Sequence, residues 1–247
     1  MSRQVLVTGA SKGIGKAIAI QLAKDGFEIA VHYMGDKQGA EDTLKSITEL
    51  GGAGRLIQFD ISNRSACRET LESDIAEHGA YYGVVNNAGI NRVGSMEEQS
   101  TENIDAVIDL NIRTLYKISQ AAITPMKRAE SASIVNMSSQ MGFVGSPNRT
   151  LYCMSKHAVE GVTKAMAVEL AEHNIRVNTV APTFVLTPMT KPMFEDESFK
   201  QFVYGMIPLG RLGKVEDVAN SCTFLLSDLA SMITGTSIKV DGGWTAR

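Results

Sequence analysis

The feature that most constrains this chain is a short apolar run that ends in glycines. Val5-Leu6-Val7 reads as a buried strand and passes directly into Thr8-Gly-Ala-Ser-Lys-Gly-Ile-Gly15. Ile14, Ile18, Leu22 and Ala23 then recur at helical spacing up to Asp25-Gly26, and a second apolar strand runs from Glu28 to Tyr33. Strand, glycine-rich turn, helix and strand make a βαβ unit of about 30 residues. A turn this tight needs residues without a Cβ, so that the backbone can approach a ligand closely. The N–H groups at the start of the helix then point at a bound anion such as a pyrophosphate. The spacing is G-x-x-x-G-x-G, rather than the commoner G-x-G-x-x-G.

The alternation continues along the chain. Helix patterns at 38–50, 64–78, 102–128, 151–171 and 215–226 are interleaved with strand patterns at 55–59, 83–86, 133–137, 176–180 and 237–240. Near-continuous apolar strands alternating with helices predict an α/β fold: a Rossmann-type, doubly wound, seven-stranded parallel sheet with helices on both faces. No internal repeat, linker or low-complexity tract interrupts residues 1–247, so one domain is the economical reading. Ligands of such sheets bind outside the carboxyl ends of the strands. The glycine turn, Asn86-Asn87-Ala88-Gly89, Ser138-Ser139 and Pro182 all fall at strand carboxyl ends, and that convergence marks the site. Four of the six prolines (Pro182, Pro188, Pro192 and Pro208) share one stretch with Met189, Met193, Phe194, Phe199, Phe202 and Met206. That stretch, about 184–210, reads as an apolar lid over a small-molecule pocket.

Composition excludes several other classes. The net charge of -3 without a long basic run implies no nucleic-acid surface. Three widely spaced cysteines make neither a disulfide framework nor a zinc pattern, and the four histidines are scattered, so no metal site is expected. The chain opens on a strand pattern at Gln4–Val7, and no apolar run is long enough to span a bilayer, so a cytoplasmic, non-membrane protein is expected.

Tyr152-Cys-Met-Ser-Lys156 places a phenol and an ammonium one helical turn apart. An ammonium nearby favours the phenolate, and such a tyrosine gives a proton to a developing alkoxide or takes one from an alcohol. With the other motifs in order, the chain resembles the short-chain dehydrogenase/reductase family over essentially its whole length. Gly9, Gly13 and Gly15 match that family's cofactor loop, and Asn87-Ala88-Gly89 match its sheet-stabilising, cofactor-lining segment. Asn111, Ser139, Tyr152 and Lys156 match its catalytic tetrad. The family serine stands thirteen residues before the tyrosine, which selects Ser139 over Ser138. The family's common Pro-Gly after the sixth strand is Pro182-Thr183 here, and Thr187 matches a cofactor-contacting threonine.

The resemblance implies hydride transfer between NAD(P)H and a carbonyl or secondary alcohol. Tyr152 would exchange the proton and Ser139 would bond the oxygen as charge develops on it. Lys156 would hold the cofactor ribose, and Asn111 a water for proton supply. Cys153 would be dispensable, since hydride transfer needs no nucleophile. Gly9, Ser11, Lys12, Gly13, Ile14, Gly15, Tyr33, Asp60, Ile61, Asn87, Ala88, Gly89, Tyr152, Lys156, Pro182, Thr183, Val185 and Thr187 would contact the cofactor. NADP(H) is expected over NAD(H), which remains possible. Tyr33 gives the second strand an uncharged end, and Lys12 and Ser11 suit a 2′-phosphate, with His32 contributing if it points outward. Asp36, read as turned away, is the residue that argues the other way.

Up to about Ile90 the chain looks most like acyl-carrier-protein ketoreductases. Beyond it, as in Ala181-Pro-Thr-Phe-Val185 and Gly242-Gly-Trp-Thr-Ala246, it looks more like sugar, polyol and cyclic-ketone dehydrogenases. A small ketone, ketose or polyol is therefore the favoured substrate, and a 3-oxoacyl-carrier substrate the alternative. Lys127 and Arg128 meet half of the basic patch an acidic carrier needs, while His173 fills the other half weakly. A non-catalytic NADP-binding sensor is the reading from another class. The resemblance also implies a homotetramer paired through the 102–128 and 151–171 helices. Ile108, Leu115, Val159, Val162 and Met166 are its candidate markers.

Overall fold

Val- and Ile-rich runs with no charged residue to hide form the centre of a fully parallel sheet. In the computed structural model, which describes residues 3–61, 63–188 and 190–246, its strands are β1 (Gln4–Val7), β2 (Glu28–Tyr33), β3 (Gly54–Gln58), β4 (Gly83–Asn86), β5 (Ala132–Met137), β6 (Ile175–Pro182) and β7 (Ser237–Val240). Their order is β3-β2-β1-β4-β5-β6-β7. Val5 lies opposite Ile29 on one side and Gly83 on the other. The strand order reverses between β1 and β4, and the crevice at that switch point is where such sheets bind ligands. Helices α1 (Gly13–Lys24), α2 (Lys37–Glu49) and α8 (Val215–Leu226) cover one face through residues such as Ile18, Leu22, Ile47 and Leu225. Helix α3 (Arg64–His78) and two later helices cover the other, through Leu71, Ile118, Ala122 and Leu170.

The stretch read as one helix over 102–128 is not continuous. It is α4 (Thr101–Ile108), a π-helical turn at Asp109–Arg113, and α5 (Thr114–Met126). Apolar spacing cannot reveal one extra residue in a turn. Local bonds hold the bulge instead: the Thr114 hydroxyl donates to the Asp109 carbonyl at 2.8 Å, and Asn111, inside the bulge, is drawn towards Ile90. Wide turns of this kind recur at functional sites.

Helix α6 (Thr150–Leu170) follows β5, and the proposed lid follows β6. The lid carries a 3₁₀ turn (Lys191–Glu195) and α7 (Glu197–Met206), whose first N–H groups are capped by the Asp196 carboxylate. Phe184 meets Phe194 and Phe199 edge-on, with centroids 6.0 and 5.4 Å away, and Trp244 closes the group from the C-terminal turn. The segment thus owns a small core around Val203, Ile207 and Trp244. Met189 lies outside the described residues.

The candidate interface residues are corrected by burial. Leu115, Val159 and Met166 are buried within the chain, and Met166 and Val162 belong to the core on one face of the sheet. Ile108 is half-buried. The apolar side chains that these helices leave exposed are Tyr116, Met154 and Val168. Among the described residues, no helix is long and apolar enough to cross a membrane, and no cluster of three metal-ligating side chains occurs.

Candidate active site

The cradle at the β1 end is built from backbone. Gly9 and Gly13 have φ of 64° and 57°, a region costly for residues with a Cβ. Gly15 is fixed by space: a Cβ there would overlap the Gly9 carbonyl and stand 2.6 Å from Asn87 Nδ2. That amide donates to the Thr8 and Gly9 carbonyls at 2.9 and 3.2 Å. The Thr8 hydroxyl accepts from the N–H groups of Asn87 and Ala88 at 2.9 and 3.0 Å, so β1 and β4 hold each other's loops. Lys12, the N-cap of α1, makes no side-chain cap, which leaves the first N–H groups of the helix available to an anion. A dinucleotide pyrophosphate fits this loop.

His32 is not the outward contact its sequence position allowed. It is buried, its Nδ1 accepts from Gly9 N–H at 3.1 Å, and Nε2 lies 3.1 Å from the Phe59 carbonyl. Burial pulls its pKa down to about 4, against the opposing bond to Phe59. The neutral ring, protonated on Nε2, satisfies both partners.

Asp36 is the second correction. It does not point away: its carboxylate caps α2 through Gly39 N–H at 3.1 Å and lies 3.6 Å from Lys12 Nζ. The Gly39 bond, then Ser11 and Lys12, hold its pKa below the usual carboxylate range. A capping carboxylate is anchored to the helix start, and the loop carrying Ser11 and Lys12 packs against that start. Tyr33 is buried with its hydroxyl 3.3 Å from Gln58 Oε1. Asp60 is exposed and Ile61 buried at the next strand end.

On the other side of the switch point, the structure brings Ser139, Tyr152 and Lys156 together, Ser139 bonding to Tyr152 and Lys156 lying over its ring, while Lys156 and Asn111 both approach Gly89. A Cβ on Gly89 would stand 3.1 Å from Asn111 Oδ1 and 3.8 Å from Lys156 Nζ. Asn111 accepts from Ile90 N–H at 2.8 Å and donates to the Ile90 carbonyl and Ser155 Oγ at 2.9 and 3.0 Å. Its side chain thus ties the β4 end to α6. Lys156 is buried and donates to the Met137 carbonyl at 2.8 Å. Burial lowers its pKa to about 8, although Glu160 pulls it upward. Its Nζ lies 5.4 Å from the centre of the Tyr152 ring.

The expected lowering of the Tyr152 pKa is not present. Burial pushes the phenol up to about 12, over a hydrogen bond to Ser139 and the field of Arg149, which both lower it. Ser139 faces Tyr152, while Ser138 is turned into the core beneath Gly142. Ser139 Oγ donates to Gln140 Oε1 at 2.7 Å and accepts from Met141 N–H at 3.2 Å. Pro182, Thr183 and Val185 lead from β6 into the lid. Thr183 and Val185 are buried, and Thr187 packs its methyl group against the Gly13 position. Sequence reading missed His32 as a support for the glycine loop, and it missed Gln140, Ser155 and Arg149 altogether. Gln140 and Ser155 each flank a matched motif residue, but nothing in their spacing sets them apart.

A family model described as Enoyl-(Acyl carrier protein) reductase matches residues 9–245. The 3-oxoacyl-[acyl-carrier-protein] reductase FabG of Staphylococcus aureus is 38% identical over 243 residues, which cover 98% of each chain. Among solved structures, a putative short-chain alcohol dehydrogenase from Sinorhizobium meliloti is 36% identical with a TM-score of 0.94, covering 100% of this chain and 98% of the other. A gluconate 5-dehydrogenase from Burkholderia cenocepacia, in complex with NADP and tartrate, is 27% identical with a TM-score of 0.95 and coverage of 100% and 97%.

Proposed function

Because the chain belongs to the short-chain dehydrogenase/reductase family, we propose that it is an NADPH-dependent reductase of small ketones or ketoses, able to oxidise the corresponding secondary alcohols. The observation that carries this reading is the meeting of Ser139 and Lys156 at Tyr152, across the switch point from an open anion cradle. The bound nicotinamide would supply or accept the hydride. Gly9, Gly13, Ile14 and Gly15 would hold its pyrophosphate, with Ser11 and Lys12 on the 2′-phosphate side. Tyr33, Asp60 and Ile61 would flank the adenosine, and Asn87 to Gly89, Pro182, Thr183, Val185 and Thr187 the nicotinamide half.

The residues of the chain then divide the proton work. A phenol with a pKa of about 12 is protonated at neutral pH and ready to donate, which suits the reductive direction. Ser139 donates to the same substrate oxygen as charge grows on it, once its proton leaves Gln140. Lys156 keeps a positive charge near the phenol, and Asn111, held in the wide turn, would place a water for proton supply. The apolar lid would exclude solvent from the reacting carbonyl.

The second reading is reduction of 3-oxoacyl groups on a carrier protein, favoured by the identity to FabG. The basic patch for it is half formed. Lys127 and Arg128 are exposed, while His173 sits 3.4 Å from Glu172. Loss of NADPH absorbance with a panel of small ketones, ketoses and an acyl-carrier substrate tests both readings. No oxidation with any of them contradicts an enzyme of either kind. A far higher kcat/KM for the carrier substrate reverses their order. A homotetramer is also part of the proposal, supported by the exposed Tyr116, Met154 and Val168. A monomer mass in light scattering contradicts it.

A further inference from the structure

We propose that Arg149 is the anion-binding residue of the substrate site, and that the preferred substrate carries a carboxylate in addition to its carbonyl. The inference rests on the ketone-reductase reading above and narrows its substrate class to keto acids and oxidised sugar acids.

Arg149 is the N-cap of α6, a helix of 21 residues, and precedes Tyr152 by less than one turn. It is 6% exposed. A guanidinium has five N–H donors and cannot shed its charge. Here the one hydrogen bond from that guanidinium, among the described residues, runs from Nη1 to the Asn148 carbonyl at 3.1 Å. No carboxylate of the described residues lies within ion-pair distance of it. Arginines are rarely buried unless paired, because an uncompensated buried charge is expensive.

A structural role explains little of this. The Asn148 carbonyl is already bonded by Gly94 N–H at 3.2 Å. One further bond to it needs a donor, not a charge. The surroundings instead accumulate positive potential. Arg149 caps α6 without any side-chain hydrogen bond to the free N–H groups of the first turn, and a helix start carries a partial positive charge. No acidic residue stands in that turn. Burial lowers the Arg149 pKa, against the fields of Cys153 and Tyr152, and the guanidinium in turn pulls the Tyr152 pKa down. Arg149 and Tyr152 stand less than one turn apart at the same helix start, so a small molecule whose carbonyl oxygen meets Tyr152 and Ser139 can bring a carboxylate to Arg149.

The assignment carries a sign that a structural role reverses. If Arg149 awaits a ligand, replacing it removes an unpaired buried charge, and the ligand-free protein should melt no lower. If Arg149 holds the fold, the melting temperature should drop. Functional residues often oppose stability in this way.

The test uses 4-oxopentanoate and its methyl ester, which share one ketone and differ in charge. In steady-state assays with NADPH, the parent should prefer the acid by about tenfold or more in kcat/KM, mostly through KM, as a charge-assisted bond allows. Arg149→Gln should lose that preference, and Arg149→Lys should keep part of it. Equal use of acid and ester by the parent overturns the proposal. So does an Arg149→Gln variant that loses both substrates alike. The melting temperature of the NADP⁺-bound protein supplies a readout without turnover. The acid, and not the ester, should raise it in the parent and not in Arg149→Gln; no such shift overturns the anion site. A selective shift with neither compound reduced would keep the anion site and reject the ketone-reductase reading.

Discussion

The two sides of the switch point solve their tasks with different material. The cofactor side is made of backbone: positive-φ glycines, free N–H groups at a helix start, and a packing contact at Gly15 that tolerates no side chain. The substrate side is made of side chains: Ser139 turned by Gln140, a buried Lys156, a buried Arg149 and a lid core of phenylalanines. The difference teaches where each half is free to change. Backbone that accommodates a pyrophosphate serves any dinucleotide. A site of side chains takes a new ligand through single substitutions.

The largest expected effect breaks the backbone side. Gly15→Ala puts a methyl group into the Gly9 carbonyl and the Asn87 amide, so the loop must open. The variant should melt well below the parent and lose at least about tenfold in NADPH affinity, as expected for strain at a special backbone site. Unchanged melting and cofactor titration would show that the loop is not rigid.

The next effect is a pH dependence seated in one side chain of the backbone-built half. The folded-state pKa of His32 is about 4, below its ordinary 6.5. Between those values the unfolded chain binds the extra proton, so stability is complete above about pH 6.5 and declines as pH falls towards about 4. The full loss is on the order of 3 kcal/mol. Denaturant titrations of the parent should show a steeper fall from pH 7 to pH 5 than those of His32→Asn. Parallel curves would mean that the ring does not hold the glycine loop as a neutral acceptor.

The smallest effect lies at the boundary, where Lys12 meets Asp36 at 3.6 Å. Lys12→Ala should weaken NADPH use by up to about tenfold and NADH use little. Asp36→Asn should widen the preference for NADPH by a few-fold, because it removes a carboxylate that competes for the lysine. Measured kcat/KM values that fall equally for both cofactors with Lys12→Ala would remove the lysine from the 2′-phosphate.

The sheet was legible because its central strands are near-continuous apolar runs alternating with helix patterns, and α3, α8, β2, β4 and β7 begin and end where the pattern placed them. The glycine loop was legible for a similar reason, since backbone demands are written directly as residue type. Side-chain direction was not. His32 turned inward because a ring at the β2 edge reaches both Gly9 and Phe59. Asp36 turned back because capping α2 fixes a carboxylate beside Lys12. Val159 and Met166 lie on the same helix as Met154 and Val168, and apolarity alone did not say which pair is buried. Arg149 carried no signal, since a lone arginine before a helix is ordinary until its burial is known.

The central claim is that the Tyr152 hydroxyl delivers the proton to a ketone reduced at this site. The direct measurement compares the parent with Tyr152→Phe, which removes one oxygen and little packing volume, by NADPH-linked ketone reduction and by NADPH titration. The account predicts a fall of at least about 10²–10⁴-fold in kcat, as the loss of general acid catalysis requires, with NADPH affinity kept. A variant that retains more than about a tenth of the parent's rate would contradict it, because general acid catalysis would then not run through Tyr152.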